Sequence, residues 1–538
     1  MNGYGYSIVI GVAFFAHLLV AHPGLKKNEE EDDDINPYMN KLVKNRTKEE
    51  MENETRVDYW NWNALQAVQE RLFRKLNENT AKNVIFFLGD GMSIPTIAAT
   101  RVYLGGEEEQ LSFEKFPYSA LSKTYCVDHQ TADSACSATA YLGGVKANLG
   151  TIGVSAAVGK KNCSAMNVEE NHVHSIARLF QLKGKKTGFV TTTRVTHASP
   201  AGVYAHTASR NWESDTNVLK AKLDPKQCRD IASQLVFGKT GKNLQVILGG
   251  GRKKFLPKEV TDEEGNTGDR SDDLNLIEEW KKQKKEMGAK YEYVWNRKQL
   301  LNVKNDTEYL LGLFEPGHMK YNLERSKETE PSLEEMTEVA IRVLQRDTSS
   351  TSNSSAPSDN GFFLFVEGGR IDTAHHSTFA HKALDETAEF AKAVQKAVQM
   401  TNEEDTLIVV TADHAHTMSY AGYAGRGSEI FGYAGQASDS NLYTILNYAN
   451  GPGYRPLMAT GERYVPSEEE MNEVGFKWPS TSPLNSETHG ADDVAVFANG
   501  PWAHLFTGTM EENVIPHLIA AAACVSPQIP CANFKKQS

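Results

Sequence analysis

Apolar runs of about five residues alternate with helical patterns along most of this chain. Continuous apolar runs are typical of strands that are buried on both faces, as in parallel sheets. The alternation therefore predicts an α/β fold with a doubly wound, mainly parallel central sheet and helices on both faces. The strand candidates are Val84–Leu88, Phe189–Thr193, Val246–Leu248, Phe362–Val366, Leu407–Thr411 and Val494–Phe497, and the helix candidates are Asn171–Lys183, Leu333–Gln345 and His381–Met400.

Two long segments interrupt this alternation. Residues 252–330 are rich in Lys, Glu and Asp, which predicts an irregular surface subdomain. A Gly- and Tyr-rich stretch begins at Tyr420, and we expect a second insertion over 420–486 before the sheet resumes. The rest of the body is expected to form one large catalytic domain over 59–531.

The two ends of the chain have their own composition. The apolar run Ile8 to Ala21 is short for a membrane span and predicts a signal peptide over 1–21, cleaved near Ala21. An acidic extension follows over 22–58, and the tail over 532–538 lacks the apolar stretch of a lipid-anchor signal. We therefore expect a secreted, extracellular protein without a transmembrane segment.

Sequons and cysteines agree with export. Asn-x-Ser/Thr sequons begin at Asn45, Asn53, Asn162, Asn305 and Asn353. Six cysteines are few for 538 residues, so any disulfides are expected to be local. Cys524 and Cys531 are close enough to pair, Cys163 with Cys228 is a further possibility, and Cys126 and Cys136 remain candidate free thiols.

The overall charge excludes one class of partner. The net charge is -12 and no dense basic stretch occurs, so nucleic-acid binding is not expected. An anionic substrate would need local positive charge, for example from metal ions.

Several predicted strands run directly into residues that can bind metals. Asp90 follows the first strand, Glu367 and Asp372 to His376 follow a later one, and Asp413-His414-Ala-His416 follows the next. Ligand sites lie outside the carboxyl ends of parallel strands. A single aspartate or histidine at a strand end would more simply be structural, but several such clusters together indicate one shared site.

A hydroxyl and a guanidinium complete the candidate chemistry. Ser134 precedes small helix-forming residues, so it either caps that helix or places its hydroxyl at the positive end of the helix dipole as a nucleophile. Arg210 offers a fork for phosphate oxygens, although many arginines are only surface residues. Ser199 offers a hard oxygen suited to magnesium, whereas histidine with carboxylate suits zinc. The clusters thus favour two zinc sites and one oxygen-only site.

The motifs themselves resemble those of animal alkaline phosphatases. The resemblance extends from about Tyr59 to Cys531 and includes Thr191-Thr-Thr-Arg-Val-Thr-His197-Ala-Ser-Pro, Val366-Glu-Gly-Gly-Arg-Ile-Asp372 and Glu487-Thr-His489. It implies a secreted or surface-anchored homodimer that hydrolyses phosphate monoesters at alkaline pH through a phosphoserine, with two zinc ions and one magnesium. It also makes 420–486 a crown-type insertion and 252–330 a calcium-type subdomain.

The resemblance assigns a role to each candidate residue. Ser134 would be the nucleophile and Arg210 the phosphate clamp. The ligand sets that it implies are Asp372, His376 and His489 for the first zinc, Asp90, Asp413 and His414 for the second, and Asp90, Ser199 and Glu367 for magnesium. The residues placed just beyond these ligands are His197, Thr373, His375 and His416.

Further implications concern calcium, the disulfides and three departures from the family pattern. A calcium site would use Glu264, the Phe314 carbonyl, Glu315 and Glu330, and the paired cysteines would be Cys163 with Cys228 and Cys524 with Cys531. Thr373 stands where vertebrate members have His and bacterial members Lys, so a water-mediated phosphate contact is expected to change. Cys136, two residues after the nucleophile, suggests sensitivity to thiol reagents. The third departure is the absence of a C-terminal anchor tail.

Other functions on the same scaffold fit the residues less well. A sulfatase needs a modified Cys or Ser in a Cys/Ser-x-Pro-x-Arg setting, which Ser134-Ala-Cys-Ser-Ala does not supply. A phosphodiesterase normally has a Thr nucleophile and no equivalent of Arg210. A binding protein that has lost catalysis should show gaps in the ligand set, whereas here every position is filled.

Overall fold

The computed structural model describes residues 47–346, 360–526, 528, 530 and 531. The predictions that lie outside the described residues are the signal peptide over 1–21, most of the acidic extension, the sequons at Asn45 and Asn353, and the tail over 532–538.

Strands and helices follow one another along the described chain. The strands are β1 Asn83–Gly89, β2 Tyr118–Lys123, β3 Lys186–Arg194, β4 Val246–Gly250, β5 Tyr291–Val294, β6 Tyr309–Leu313, β7 Phe362–Gly368, β8 Thr406–Thr411, β9 Ala415–His416, β10 Met418–Tyr420, β11 Tyr433–Gln436, β12 Leu442–Thr444, β13 Leu446–Gly451, β14 Ser480–Pro483, β15 His489–Gly490, β16 Val494–Asn499 and β17 Gly508–Glu511. The helices are α1 Lys48–Glu54, α2 Val57–Leu72, α3 Ile94–Leu104, α4 Ser134–Gly143, α5 Cys163–Met166, α6 Ile176–Leu182, α7 Ala198–Ala201, α8 Asp215–Lys220, α9 Ile231–Phe237, α10 Leu276–Glu286, α11 Arg297–Leu301, α12 Leu333–Gln345, α13 Arg370–His376, α14 Ala380–Met400, α15 Glu468–Met471 and α16 Ile515–Ala523.

A ten-stranded sheet has the order β17-β2-β16-β8-β1-β7-β3-β4-β6-β5. The pairings from β8 through β5 are all parallel, and only β16 runs against its two neighbours, β8 and β2. All six strands expected from the apolar runs lie in this sheet, and the predicted α/β class is confirmed.

The sheet is buried on both faces, as its apolar runs predict. Every residue of β1 is buried. Phe86 and Leu88 enter one core with α4, α6, α9 and α16, while Ile85 and Phe87 enter the opposite core with α12 and α14. Each of these large side chains contributes roughly 1.5–3 kcal/mol by its burial. Two apolar layers therefore fix the strand ends that carry the candidate ligands.

All three predicted helices are present, and two of them have different boundaries. The helix expected over Leu333–Gln345 has those bounds, and the one expected at His381 begins a residue earlier. The helix expected at Asn171 begins only at Ile176, because Ser175 is its extended N-cap residue. None of the helices in the described ranges is long and apolar enough to cross a bilayer.

The two insertions contain more regular structure than their composition suggests. Within 252–330, β6 pairs with β4 and β5 pairs with β6, so part of this segment extends the central sheet. Within 420–486 and just before it, β10, β13 and β14 form a three-stranded sheet and β11 pairs with β12. These short strands have mixed polarity, which hides the alternation in the sequence.

Three disulfides use all six cysteines. Cys163 is bonded to Cys228 and Cys524 to Cys531, as the family resemblance implies. The expectation of free thiols at Cys126 and Cys136 is wrong, because these residues form the third bond, with Cα atoms 5.9 Å apart. The folded chain brings them together in a small buried cluster with Ala132. The predicted sensitivity of a free Cys136 to thiol reagents is therefore corrected as well.

Titration of denatured, unreduced protein with a thiol reagent should detect no free thiol. After reduction the same assay should count 6 thiols. Cys136→Ala should release one thiol at Cys126 and lower the free energy of unfolding by about 2–4 kcal/mol, since a cross-link restricts the unfolded chain. Two reactive thiols in the unreduced wild-type protein would contradict the Cys126–Cys136 bond.

Candidate active site

The candidate ligands meet at the carboxyl ends of the central strands. β1 lies between β7 and β8, with Leu88 in register with both Glu367 and Thr411. Asp90 lies two residues after Leu88, and Asp413 lies two residues after Thr411. Because β1 and β8 are parallel, both carboxylates lie at the same edge of the sheet. Asp90, Glu367 and Asp413 are fully buried there.

The nucleophile candidate begins a helix directly above this edge. Ser134 is the first residue of α4 and is 1% exposed. Its Oγ lies 3.5 Å from Asp90 Oδ1 and 3.3 Å from His414 Nε2. Asp133 caps the helix instead, by accepting the Cys136 N–H at 3.2 Å. The Ser134 hydroxyl is thus not used for capping and lies at the positive end of the helix dipole.

Asp90, Asp413 and His414 form one compact group of ligand atoms. These atoms all lie within 4.8 Å of one another. His414 Nε2 is 3.2 Å from Asp413 Oδ2 and 3.6 Å from Asp90 Oδ1. Asp413 Oδ1 accepts the Gly91 N–H at 3.0 Å, which orients the carboxylate. The structure thus brings together the residues predicted for the second zinc.

Asp372, His376 and His489 form a second group. Asp372 Oδ1 is 3.3 Å from the Nε2 atoms of both histidines, and those two nitrogens are 3.1 Å apart. Asp372 and His376 lie one turn apart on α13, as their spacing of four residues predicts. His489 arrives on β15, which pairs with β9 so that His489 lies opposite His416.

His416 lies closer to this group than the sequence suggests. Its Nε2 is 2.8 Å from Asp372 Oδ1, which is nearer than either His376 or His489. Its Nδ1 contacts the Glu487 carboxylate at 2.5 Å. Burial lowers the pKa of His416, but Glu487 and Asp372 outweigh it and raise the pKa to about 10.

Glu487 was given no role by sequence reasoning, although it opens the motif that contains His489. Its carboxylate contacts His416, and its backbone carbonyl accepts the His376 Nδ1 proton at 2.5 Å. The Ala132 carbonyl accepts a hydrogen bond from His489 Nδ1 at 2.7 Å. Each imidazole therefore directs Nε2 toward Asp372, which is the way that neighbouring groups orient histidine ligands on a metal.

The third group is rich in oxygen. Ser199 Oγ lies 3.4 Å from Asp90 Oδ2. Glu367 Oε2 accepts hydrogen bonds from Thr191 and Thr193, whereas its buried Oε1 has no partner among the described residues. Asp90 and Glu367 offer oxygens within 4.8 Å of each other. Carboxylate and hydroxyl oxygens with one open carboxylate position fit a magnesium ion.

Four carboxylates are buried together around these groups, which is costly without cations. Burial and the charges of Asp413, Asp372 and Glu367 raise the pKa of Asp90 well above its ordinary value. Burial likewise raises the pKa of Asp413 to about 6 and that of Glu367 to about 7. For Asp372, burial is outweighed by the nearby His376 and His416, so its pKa lies well below the ordinary value. Bound divalent cations would neutralise this charge.

Arg210 lies beside the nucleophile and is held from two sides. Its guanidinium donates to Asp133 Oδ2 at 2.9 Å and to His197 Nε2 at 3.1 Å. Because arginine cannot accept a hydrogen bond, His197 must carry its proton on Nδ1. A histidine in this state cannot be a direct ligand, but it can donate to a water on a neighbouring ion.

Two further predicted residues are engaged with other partners. His375 is fully buried, with Nε2 at 3.0 Å from Thr96 Oγ1 and Nδ1 at 2.9 Å from Tyr448 OH. Thr373 donates to the Arg370 carbonyl at 3.1 Å. His375 therefore supports α13 rather than a metal, and Thr373 offers neither charge nor imidazole to the site.

The residues predicted for calcium lie near one another at the edge of the subdomain. Glu330 Oε1 accepts the Lys320 N–H at 2.8 Å, and burial, with Glu315 nearby, raises the pKa of Glu330 to about 7. Glu264 is paired with the buried Arg252. The arginine thus already engages one of the predicted calcium ligands.

Glu367→Gln should change the pH dependence of the metal-free fold. Because the pKa of Glu367 is raised to about 7, its ionisation destabilises the folded state. This effect is absent below the ordinary pKa of about 4.3, grows as the pH rises, and levels off above about 7. In chelator, urea unfolding at pH 8 should therefore show Glu367→Gln to be more stable than wild type, with a smaller difference at pH 5.5.

In magnesium, the wild-type protein should be more stable than Glu367→Gln at pH 8, because glutamine is a weaker, uncharged ligand. The same unfolding series in excess magnesium provides the comparison. A wild-type protein that is the more stable of the two at pH 8 in chelator would argue against repulsion at this site.

Comparisons with known proteins identify the family of this chain. A model of the alkaline phosphatase family matches residues 81–525. The chain is 47% identical to the membrane-bound alkaline phosphatase of Bombyx mori over 488 residues, covering 88% of this chain and 86% of that protein. It is 46% identical to the tissue-nonspecific alkaline phosphatase of Felis catus over 498 residues, covering 90% and 91%.

The solved structures show the same fold at lower identity. The alkaline phosphatase from the Antarctic bacterium TAB5 has a TM-score of 0.57 at 21% identity, covering 83% of this chain and 100% of that one. The Thermus thermophilus enzyme has a TM-score of 0.57 at 20% identity, covering 85% and 94%. With the family match over most of its length and close relatives among animals, the chain belongs to the alkaline phosphatase family of metal-dependent phosphomonoester hydrolases.

Proposed function

We propose that this enzyme converts phosphate monoesters to an alcohol and inorganic phosphate at alkaline pH through a phosphoserine at Ser134. The observation that carries the proposal is the position of the Ser134 hydroxyl. It is buried at the start of α4, within 3.5 Å of Asp90 and His414, and faces the groups that can hold cations. A hydroxyl that only capped the helix would not be left in this position.

The donor sets support two zinc ions and one magnesium. When bound, these ions would supply positive charge to the attacking and leaving oxygens. The proposed ligands are Asp372, His376 and His489 for the first zinc, Asp90, Asp413 and His414 for the second, and Asp90, Ser199 and Glu367 for magnesium. The close approach of His416 to Asp372 adds a third imidazole beside the first zinc set.

The chain's own residues account for the two displacements. Ser134 Oγ gives up its proton to solvent and forms a bond to phosphorus, while the ester oxygen leaves with its electron pair and takes up a proton to become the alcohol. Water then attacks phosphorus, the Ser134 O–P bond breaks with its electron pair on Oγ, and Oγ takes up a proton from that water, which regenerates the hydroxyl as inorganic phosphate leaves. Arg210, fixed by Asp133, binds the equatorial phosphoryl oxygens in both steps, which is the main work of a protein in phosphoryl transfer.

Export and glycosylation are supported by observations outside the site. Three disulfides suit an oxidising compartment. The asparagines of two sequons, Asn162 and Asn305, are exposed, as glycan attachment requires. We therefore propose a secreted glycoprotein whose partners are small phosphate monoesters.

A homodimer is supported by the surface of the N-terminal helix. No residue of α2 is buried, yet α2 and the turn after it expose a series of apolar side chains. These are Val57, Trp60, Trp62, Leu65, Val68, Leu72, Phe73 and Leu76. Apolar surface of this kind marks an interface, and a second copy of the chain is the proposed partner.

Calcium is proposed for the subdomain. The carboxylates of Glu315 and Glu330 interact, and the charge of Glu264 also acts on Glu315. The Phe314 carbonyl would complete an oxygen-only set of the kind that calcium prefers. Calcium would then have to compete with Arg252 for Glu264.

Ser134→Ala should abolish the phosphoenzyme and nearly all turnover, because it removes the only atom proposed to bond to phosphorus. Zinc and magnesium contents, measured by mass spectrometry, should remain about two and one per chain, since the metal ligands are untouched. Ser119→Ala, at an exposed position on β2, is the matched control. Turnover of Ser134→Ala at the wild-type rate would exclude the serine from this role.

Arg210→Ala should raise KM and lower kcat for a monoester. Loss of a charge-assisted contact costs about 1.5–3 kcal/mol, or roughly 10- to 150-fold in kcat/KM. Arg210→Lys, which keeps the charge but not the fork, should lie between wild type and Arg210→Ala. Steady-state kinetics on p-nitrophenyl phosphate measures this series, and equal kcat/KM for all three proteins would remove Arg210 from phosphate binding.

A further inference from the structure

Two arginine–imidazole pairs lie side by side next to the phosphate site. Arg210 donates to His197 Nε2 at 3.1 Å, and Arg194 donates to His318 Nε2 at 2.6 Å. The two imidazole rings meet edge to face, with centroids 5.2 Å apart and planes at 73°. His318 was not singled out by sequence reasoning.

The arginines determine where each imidazole carries its proton. A guanidinium has donors only, so each Nε2 must accept through its lone pair. Both rings are therefore neutral, with the proton on Nδ1. Burial and the neighbouring charge of Arg210 lower the pKa of His197, and burial with the charge of Arg194 lowers the pKa of His318, which agrees with neutral rings.

Both Nδ1–H groups are buried donors without an acceptor in the described part of the chain. An unsatisfied buried donor costs about 1–3 kcal/mol, and such groups in native proteins usually have a water or ligand partner. For His197, the oxygen-rich group of Asp90 and Glu367 lies within reach, and a water on an ion bound there would accept the hydrogen bond from Nδ1–H. No equivalent explanation covers His318.

The surroundings of His318 are rigid. Arg194 is locked by Glu213 through two hydrogen bonds of 2.7 and 2.8 Å. The loop after β6 that carries His318 is joined to the end of β3, because Met319 donates its N–H to the Thr192 carbonyl at 3.1 Å. The imidazole is thus held in a fixed position beside the site.

On α13, the hydroxyl at position 373 is not free to donate to an anion. The Thr373 hydroxyl donates a hydrogen bond to the Arg370 carbonyl and accepts one from Tyr321 OH at 3.4 Å. The charges of Arg194, Arg370, Asp372 and Arg210 all act on His318, so its imidazole lies among three guanidinium groups and one of the candidate metal ligands.

We propose that His318 is an additional phosphate-binding residue, whose Nδ1–H donates to a phosphate oxygen directly or through one water. This inference rests on the proposed function, because it places phosphate beside Ser134 and Arg210. The loop after β6 would then supply a phosphate contact through His318, whereas Thr373 supplies none in this chain.

Two amide substitutions distinguish the role of Nδ1 from the role of Nε2 in the imidazole of His318. In His318→Asn the amide lies near the place of Nδ1 and can still donate toward the phosphate. In His318→Gln it reaches the place of Nε2 and can accept from Arg194, but the Nδ1 donor is lost. Together with His318→Ala, they distinguish phosphate binding from support of Arg194.

The test is the binding of inorganic phosphate to the zinc- and magnesium-loaded enzyme, measured by calorimetry. His318→Ala and His318→Gln should weaken binding about tenfold, the effect of one lost hydrogen bond, whereas His318→Asn should stay within about threefold. KM for p-nitrophenyl phosphate should follow the same order, with a smaller change in kcat. Metal content and thermal unfolding identify any variant that fails to fold. If His318→Ala does not fold, the comparison of His318→Asn with His318→Gln still decides the result.

Unchanged phosphate affinity in His318→Gln, or loss in His318→Asn with retention in His318→Gln, would overturn the proposal. The second pattern would assign His318 to the positioning of Arg194 alone. Failure of the proposed function would look different, since it would remove the phosphoenzyme and turnover from the wild-type protein. Phosphate binding by calorimetry does not depend on turnover and still reports on His318 in that case.

Discussion

Repulsion among four buried carboxylates is the constraint on which the rest of this structure depends. Asp90, Glu367, Asp372 and Asp413 lie at one edge of the sheet, where desolvation already opposes their ionisation. Only a rigid frame can hold such groups together, and the two apolar cores on either face of the sheet provide it. The same repulsion that destabilises the metal-free protein gives the site its affinity for cations.

The surrounding polar contacts are consistent with this view. The histidines near Asp372 have their Nδ1 atoms fixed by Glu487 and by the Ala132 carbonyl, so that their Nε2 atoms converge. Arg210 is fixed by Asp133, a residue that also caps the helix of the nucleophile. One carboxylate thus positions both the hydroxyl proposed to attack phosphorus and the guanidinium proposed to hold its oxygens.

Much of the fold and of the site could be predicted from the sequence because the signals were local. Continuous apolar runs identified the central strands, and the ends of these runs identified Asp90, Glu367 and Asp413 as neighbours. The four-residue spacing of Asp372 and His376 placed them on one side of a helix. The assignment of individual metals came from ligand chemistry and from the family resemblance rather than from spacing.

What the sequence could not show depends on contacts between distant segments. Glu487 contacts His416, and His318 pairs with Arg194 from a loop whose charged surroundings suggested only a surface subdomain. Cys126 and Cys136 lie in polar sequence that gives no sign of their pairing. The short strands β5 and β17 at the edges of the sheet carry too few apolar residues to stand out.

The two-residue pairing of β9 with β15 has a consequence for biosynthesis. His489 reaches Asp372 only after the whole segment from β10 to β14 has been made and the chain has returned to lie beside His416. During translation, the carboxylates of the earlier strands are therefore available before the last imidazole. A metal ion that depends on His489 as a ligand can therefore be bound completely only after the C-terminal part of the chain has been synthesised.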